Sequence, residues 1–343
     1  MPSSLRSTGR ARDPISLVEA AYALDGDEDA WLARIRTAVT TFMPRKDVRA
    51  AISFVYCAPR STSFAVERAS AEGMDAASTV SGMTADSAQD PDFLARSFLV
   101  RTCDFVSAVP GWERQEGWQV VRAAYRANDG FVVNGIDEAG LGVATIVLVA
   151  RQSAVSRRRC EMISRVAAHT VAALRIRRRL HSASERLADA EAVLTPDGEV
   201  AQAVGTARLT ESRESLRRAA RALDRARGQL RLDNAERAIS DWKVLVNGRW
   251  SLLDHFERDG KRYLLACDNT AGAPPDDAFT PRERQIVLLA GRGHSNKLIA
   301  YELGIATSTV GVLIGRAAAR LGVHSRRALL EQLKNRTGAP PDQ

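Results

Sequence analysis

FTPRERQIVLLAGRGHSNKLIAYELGIATSTVGVLIGRAAARLGV, Phe279–Val323, is the stretch whose reading decides how the chain ends. Thr280, Pro281 and Glu283 open it as a helix start: a hydroxyl acceptor, a proline where the N–H has no helical partner, and an acid near the positive helix end. The first helix turns Ile286, Val287, Leu289 and Ala290 inward and stops at Gly291-Arg292-Gly293. Ser295 is placed to cap a second helix, Asn296–Leu303, packed through Leu298, Ile299 and Leu303. Gly304 supplies the freedom for a sharp turn. A third helix, Thr307–Leu321, buries Val310, Leu313 or Ile314, Ala317 and Leu321. Gly322-Val323 ends it, and Ser325 caps a short fourth, Arg326–Leu333. Four short helices with a glycine turn between the second and third follow a helix-turn-helix pattern.

Charge is concentrated in the same place. From Phe279 to the end, ten Lys/Arg stand against four Asp/Glu, so this stretch carries +6 of the formal +8. A basic tail on a nearly neutral body implies an anionic partner, although composition does not separate DNA, RNA and acidic protein.

Three ordered patterns make Phe279–Leu333 resemble the LuxR/FixJ-type helix-turn-helix that closes many bacterial transcriptional regulators. The family's L-T-x-R-E-x-x-V-L corresponds to Phe279, Thr280, Arg282, Glu283, Ile286 and Val287. Its G-x-S-N-K-E-I-A corresponds to Gly293, Ser295, Asn296, Lys297, Ile299 and Ala300, and its K-L-G-V-x-x-R to Arg320, Leu321, Gly322, Val323 and Arg326. The resemblance implies that Arg282 and Glu283 support the fold. It places Ser295, Lys297 and Thr309 at the DNA backbone and the third helix in the major groove, where phosphate contacts set affinity and base edges set sequence choice.

The third helix departs from the family's T-V-K-x-H-x-x-x-I. It reads Thr309, Val310, Gly311, Val312, Leu313, Ile314, Gly315, Arg316, Ala317. Glycine replaces the lysine, leucine the histidine, and Gly315 occupies a further groove-facing site. Ala306 stands at the usual Ser/Thr cap, with Thr307 as substitute. Each glycine costs about 0.5–1 kcal/mol of helix stability relative to alanine, and lost lysines weaken the salt-dependent attraction to DNA. The expected interface on double-stranded DNA is therefore Ser295, Lys297, Thr307, Ser308, Thr309, Gly311, Val312, Gly315, Arg316 and Arg320. Val312 is the apolar contact for a thymine methyl. The alternative is a protein-interaction module that keeps the fold without binding DNA.

Outward from this domain the pattern is mixed, giving a multidomain α+β fold class. Helical spacing runs through Ser16–Met43, and Ala50–Pro59 is a β-type run. Ala71–Asp92 reads as a loop or helix-loop, Asp129–Arg151 as a strand hairpin, and Ser153–Ala188 as a long helix with an apolar stripe of Met162, Ile163, Val166, Val171 and Leu174. Glu191–Val204 is a hairpin turned by Pro-Asp-Gly. Glu214–Leu230 is a charged amphipathic helix, and Gly248–Asn269 holds two strands joined around Arg258-Asp259-Gly260. The expected domains are 14–182, 183–270, a proline-rich linker at 271–278, and 279–335.

The first domain's order resembles a GAF-like sensor, an antiparallel sheet with helices on one side. The second resembles a PAS-like module. Phe54, Tyr56, Trp112, Trp118, Tyr125 and Phe131 are the candidate lining of a pocket for a small-molecule effector, against the plainer expectation that half or more are simply core.

Other chemistry finds no support. Gly140–Ala144, GLGVA, lies inside a hairpin rather than before a phosphate-binding helix. The histidines at 169, 181, 255, 294 and 324 are dispersed, and Cys57, Cys103, Cys160 and Cys267 show no ligand spacing. No metal, cofactor or enzyme activity is expected, and no receiver-type phosphoacceptor. There is no apolar run of about eighteen residues for a membrane span and no apolar stretch behind the N-terminal arginines for a secretory signal. The expectation is a cytoplasmic regulator. A single helix-turn-helix buries little surface, so a homodimer is expected, with the helices from Ser153 and Glu214 as its candidate surfaces.

Overall fold

The computed structural model describes residues 14–58, 64–90, 93, 97–98, 103–137, 140–151, 155–179, 187–228, 230–242, 250–256, 261–268, 281–291, 293–303, 305–320, 323 and 325–330. It divides into two compact units, Met1–Asn269 and Thr270–Gln343. The linker, Thr280, Arg292, Gly304, Leu321, Gly322 and the Arg258-Asp259-Gly260 turn lie outside the described residues.

The helical run at the start is two helices, α1 (Ile15–Tyr22) and α2 (Glu28–Thr40). Periodicity alone reads through the break, but Gly26 takes φ +80° and Asp27 accepts a 2.8 Å hydrogen bond from the Ala30 N–H, capping α2. Strand β1 (Val48–Cys57) then enters the sheet. It pairs with β2 (Ala65–Glu72), a strand too polar to be conspicuous in sequence because it is the sheet's edge. Ala71–Asp92 is mainly helix: α3 (Ala76–Gln89) is capped by Asp75, which accepts from the Ser78 N–H at 2.7 Å. After β3 (Cys103–Phe105) come α4 (Glu116–Ala124), β4 (Asp129–Ile136) and β5 (Leu141–Val149). The hairpin expected at Asp129–Arg151 is β4–β5. The sheet is antiparallel, in the order β2-β1-β5-β4-β3.

Alternation along β1 and β5 gives this sheet two buried faces. Ile52, Phe54 and Tyr56 share one with Ala144, Ile146 and Leu148, and Val80, Met83, Trp118 and Val121 of α3 and α4 pack on it. The other is covered by α2 and by the long helix α5 (Arg157–Arg179). Helices therefore lie on both sides, where the sequence reading expected one. The reason is visible in β5, which is apolar at every position from Val143 to Val149 except Thr145 and so has no face to leave in water. Thr145 itself hydrogen-bonds Ser53 at 2.6 Å.

The same unit contains a second antiparallel sheet, β7-β6-β9-β8, from β6 (Ala190–Leu194), β7 (Val200–Ala203), β8 (Trp250–Phe256) and β9 (Arg262–Asp268). Between β7 and β8 run α6 (Thr210–Arg227), α7 (Leu230–Asp233) and α8 (Ala235–Trp242). Arg227 reaches the Asp254 carboxylate at 2.7 Å, and Arg262 reaches it at 2.9 Å. Burial raises the Asp254 pKa, but the hydrogen bond and charge of Arg227, with Arg262, outweigh it and leave the carboxyl below its ordinary value.

The two sheets are tied together by charge and ring contacts. Arg231, almost wholly buried, meets Glu19 of α1 at 2.9 Å, and Arg158 of α5 pairs with Glu236 through two bonds of 2.9 and 3.0 Å. The apolar stripes of α5 and α6 are used inside the chain: Ile163, Val166, Val171 and Leu174 are buried, as are Leu216, Ala219, Ala220, Leu223 and Ala226. These helices thus offer charged faces, not apolar ones, as candidate dimer surfaces.

Candidate nucleic-acid interface

In the C-terminal unit, α9 (Pro281–Gly291), α10 (Asn296–Leu303) and α11 (Thr307–Arg320) are followed by a helical stretch at 326–330. Their core is Ile286, Val287, Leu289, Ala290, Ile299, Val310, Ile314, Ala317 and Leu329. Of the two alternatives at 313 and 314, Ile314 is the buried one. The end of α9 is set by backbone chemistry: Gly293 at φ +81° lets its N–H reach Ala290 O at 3.0 Å and the His294 N–H reach Leu289 O at 3.1 Å, a Schellman closure.

Ser295 then caps α10, accepting from the Leu298 N–H at 3.2 Å, and Ser325 caps the last stretch through the Ala328 N–H at 3.1 Å. Arg326 clamps the domain, donating to Asn296 Oδ1 at 2.6 Å and to the His294 carbonyl at 2.7 Å. His294 is buried with Nδ1 3.2 Å from Glu302 Oε1, outside hydrogen-bond geometry. The axes of α10 and α11 meet at 103°, within the range that helix-turn-helix pairs adopt.

On α11, Val310, Ile314, Ala317 and Ala318 face the core. Thr307, Ser308, Thr309, Gly311, Val312, Gly315 and Arg316 face outward, and Ser295 and Lys297 are exposed at the start of α10. Arg320 is the last residue of α11, and its side chain is not described. Nine of the ten residues proposed from sequence therefore lie on solvent-facing surface of α10 and α11. Along α11 the spacing Ser308, Gly311/Val312, Gly315 makes one ridge. Val312 is 55% exposed on it.

A Cβ built on Gly311 or Gly315 would meet nothing within 4 Å. Packing inside the domain does not require either glycine. The only charge described on the exposed side of α11 is Arg316, so the ridge is small, smooth and nearly neutral.

Residues 277–332 match the model of the bacterial regulatory proteins of the luxR family. The chain thus carries a C-terminal LuxR-type DNA-binding helix-turn-helix domain appended to an α+β body. Domains of this family are regulatory, not catalytic. A search of curated proteins with the whole chain finds no match. Among the described residues no single helix is long and apolar enough to cross a membrane.

Of the six aromatics proposed as a pocket lining, Phe54, Tyr56, Trp118 and Tyr125 pack in one cluster, whereas Phe131 does not join them. Register pairs Phe54 with Ala144 and Phe131 with Val147, three positions along β5, so their side chains leave opposite faces of the sheet. Phe54 and Phe131 are fully buried core. Tyr56 is also buried and donates to Asn134 Oδ1 at 2.8 Å. Tyr125 accepts from the Asp75 N–H at 3.0 Å, and Trp112 stacks under the Arg122 guanidinium at 4.9 Å. Trp118 borders a cavity that lies between the sheet and α3/α4, and the other five are not among its described lining residues. Phe93, Phe98 and Phe105 and the carboxylates of Asp86 and Asp104 also line it, and the remaining walls are largely aliphatic and methionine side chains such as Ile146, Val121 and Met83. An aromatic search passes over these, because any buried apolar residue gives the same signal in sequence.

Proposed function

We propose that this protein is a cytoplasmic transcriptional regulator that binds double-stranded DNA as a homodimer, with α11 in the major groove. The outward ridge of α11, bordered by Ser295 and Lys297, is the observation that carries the reading. Phosphates are met by Ser295, Lys297, Thr307, Ser308, Thr309, Arg316 and Arg320. Gly311 and Gly315 let the helix backbone come closer to the base edges than lysine would, with Val312 against a thymine methyl. Dimerisation follows from the small surface one such domain buries and the symmetry of a two-fold operator.

Residues 14–182 are read as a GAF-like sensor and 183–270 as a PAS-like module. The five-stranded antiparallel sheet and the strand–helix–strand order of the second sheet support those readings. An effector in the N-terminal unit shifts the pairing of the two helix-turn-helix domains (279–335) through the linker at 271–278.

The test is retention of genomic DNA fragments by the purified chain across a salt series, followed by footprinting. The expected result is a protected two-fold site whose affinity falls steeply with salt. The near-neutral ridge favours a second reading, a protein-interaction module on the same fold. Absence of any attraction to DNA at low salt, for the full chain and for the segment from residue 275, selects it.

A further inference from the structure

On the sheet face opposite α5 lies a cavity of about 80 Å³. Ile52, Ile146 and Leu148 form its floor, Met83 of α3 and Val121 and Trp118 of α4 its walls. We infer that this cavity is the effector site and that it binds a neutral molecule no larger than one six-membered ring with a short substituent, carrying a hydrogen-bond acceptor. What occupancy does to DNA binding rests on the regulator reading above; the binding itself does not.

Size comes first. A dry cavity of roughly 150 Å³ accommodates benzene, so 80 Å³ admits a single ring only if its walls yield. Met74 and Met83 line it, and unbranched thioether side chains are the ones that yield most readily. A fused-ring or nucleotide-sized ligand exceeds that adjustment.

Polarity is fixed by two atoms. Nε1 of Trp118 and Oγ of Ser97 are shielded from solvent and have no hydrogen-bond partner among the described residues, and both residues line the cavity. Buried polar atoms are nearly always paired in native proteins, so an unpaired couple at a cavity points to a missing partner. An indole N–H can only donate, so that partner must accept.

Charge excludes the alternatives. Two carboxylates, Asp86 and Asp104, line the cavity, and among the described lining residues there is no Lys, Arg or His. An anionic ligand would therefore meet like charge without a counter-ion. Nor does Asp86 invite a cation. Its oxygens already accept the Gly117 and Trp118 N–H groups at 2.9 and 3.1 Å, capping α4. A neutral acceptor is what remains.

The experiment uses three compounds of nearly one shape on the full chain: acetophenone, which is neutral with an acceptor, benzoate, its anionic counterpart, and toluene, which has no acceptor. Binding is read by saturation-transfer NMR and titration. Acetophenone is expected to bind at least about tenfold more tightly than benzoate. Trp118→Phe shrinks the ring for both ligands but removes a donor that only acetophenone uses, so it should weaken acetophenone by roughly tenfold more than toluene. Val121→Trp, which fills the space, should abolish both; circular dichroism checks its fold, and Trp118→Phe carries the test if it does not fold. Equal binding of benzoate, a loss of acetophenone affinity in Trp118→Phe no greater than that of toluene, or no transfer to acetophenone at millimolar concentration overturns the inference. DNA retention is measured separately. Retained DNA with no ring uptake removes this inference alone, and ring uptake without DNA retention removes the regulator reading alone.

Discussion

His169 on α5 and Tyr22 on α1 face each other across the middle of the N-terminal unit, with the Tyr22 hydroxyl 3.4 Å from Nδ1. Trp242 of α8 lies edge-on to the same imidazole at 6.5 Å. A histidine thus sits where the helices of the first sheet meet those of the second, and burial alone pushes its pKa down to about 3. Glu19, on the same helix as Tyr22, is paired with Arg231.

Because His169 is neutral in the folded chain and protonates when unfolded, the unfolded state binds more protons below the ordinary histidine pKa of about 6.5. The stability this site contributes is complete above that value and falls as pH drops, by about 1.4 kcal/mol per pH unit toward pH 3. Urea unfolding at several pH values should show this slope in the native chain and lose it in His169→Gln. Parallel pH profiles for the two would sink the assignment.

Gly135 of β4 lies directly beneath α5: a Cβ there would fall 2.2 Å from the Ala167 carbonyl oxygen. Backbone cannot give way as a flexible side-chain tip can, so Gly135→Ala should cost at least about 1–3 kcal/mol. Thermal unfolding measures it. An unchanged midpoint would mean that α5 rests on the sheet with room to spare.

Open space at Gly311 and Gly315 makes the opposite forecast for α11. Gly311→Ala and Gly315→Ala should each stabilise the domain by about 0.5–1 kcal/mol. If the glycines serve close approach to DNA, the doubly substituted chain binds its site more weakly despite being more stable. Gly311→Lys should steepen the salt dependence by about one unit of slope. Affinity that is unchanged in both the doubly substituted chain and Gly311→Lys would remove the ridge from the interface.

Cys103 on β3 and Cys160 on α5 hydrogen-bond to each other, and the pair titrates unevenly. Burial pushes the Cys103 thiol up, whereas the hydrogen bond from Cys103 holds Cys160 below the usual thiol range. Cys57 is raised by burial. Thiolate is the reactive form, so iodoacetamide near neutral pH should label Cys160 before Cys57 and Cys103. Cys103→Ala should slow that labelling. Peptide mass spectrometry that finds Cys57 labelled first would contradict the order.

Local chemistry made the C-terminal domain legible in advance. Ser295, Ser325 and Gly293 act on neighbours within five residues, and the inward positions of α9 to α11 recur at helical spacing. The hairpins at β4–β5 and β6–β7 were legible for the same reason. Strand β2 was not, because an edge strand needs no apolar run; its partner residues on β1 lie eight to twenty-one positions away. Nor could the break at Gly26 be separated from a tolerated glycine until the left-handed backbone there was seen.

The sequence by itself thus determined the helix-turn-helix, its caps and the glycine ridge of α11, since each rests on residues close together in the chain. Only the tertiary structure decided which aromatics share a face. Phe54 and Phe131 are separated by the parity of a strand register that links residues about ninety positions apart, and no local pattern carries that parity. The cavity beside Trp118 depends on the same register. It is made by packing α3 and α4 against a sheet whose order, β2-β1-β5-β4-β3, is set by long-range pairing.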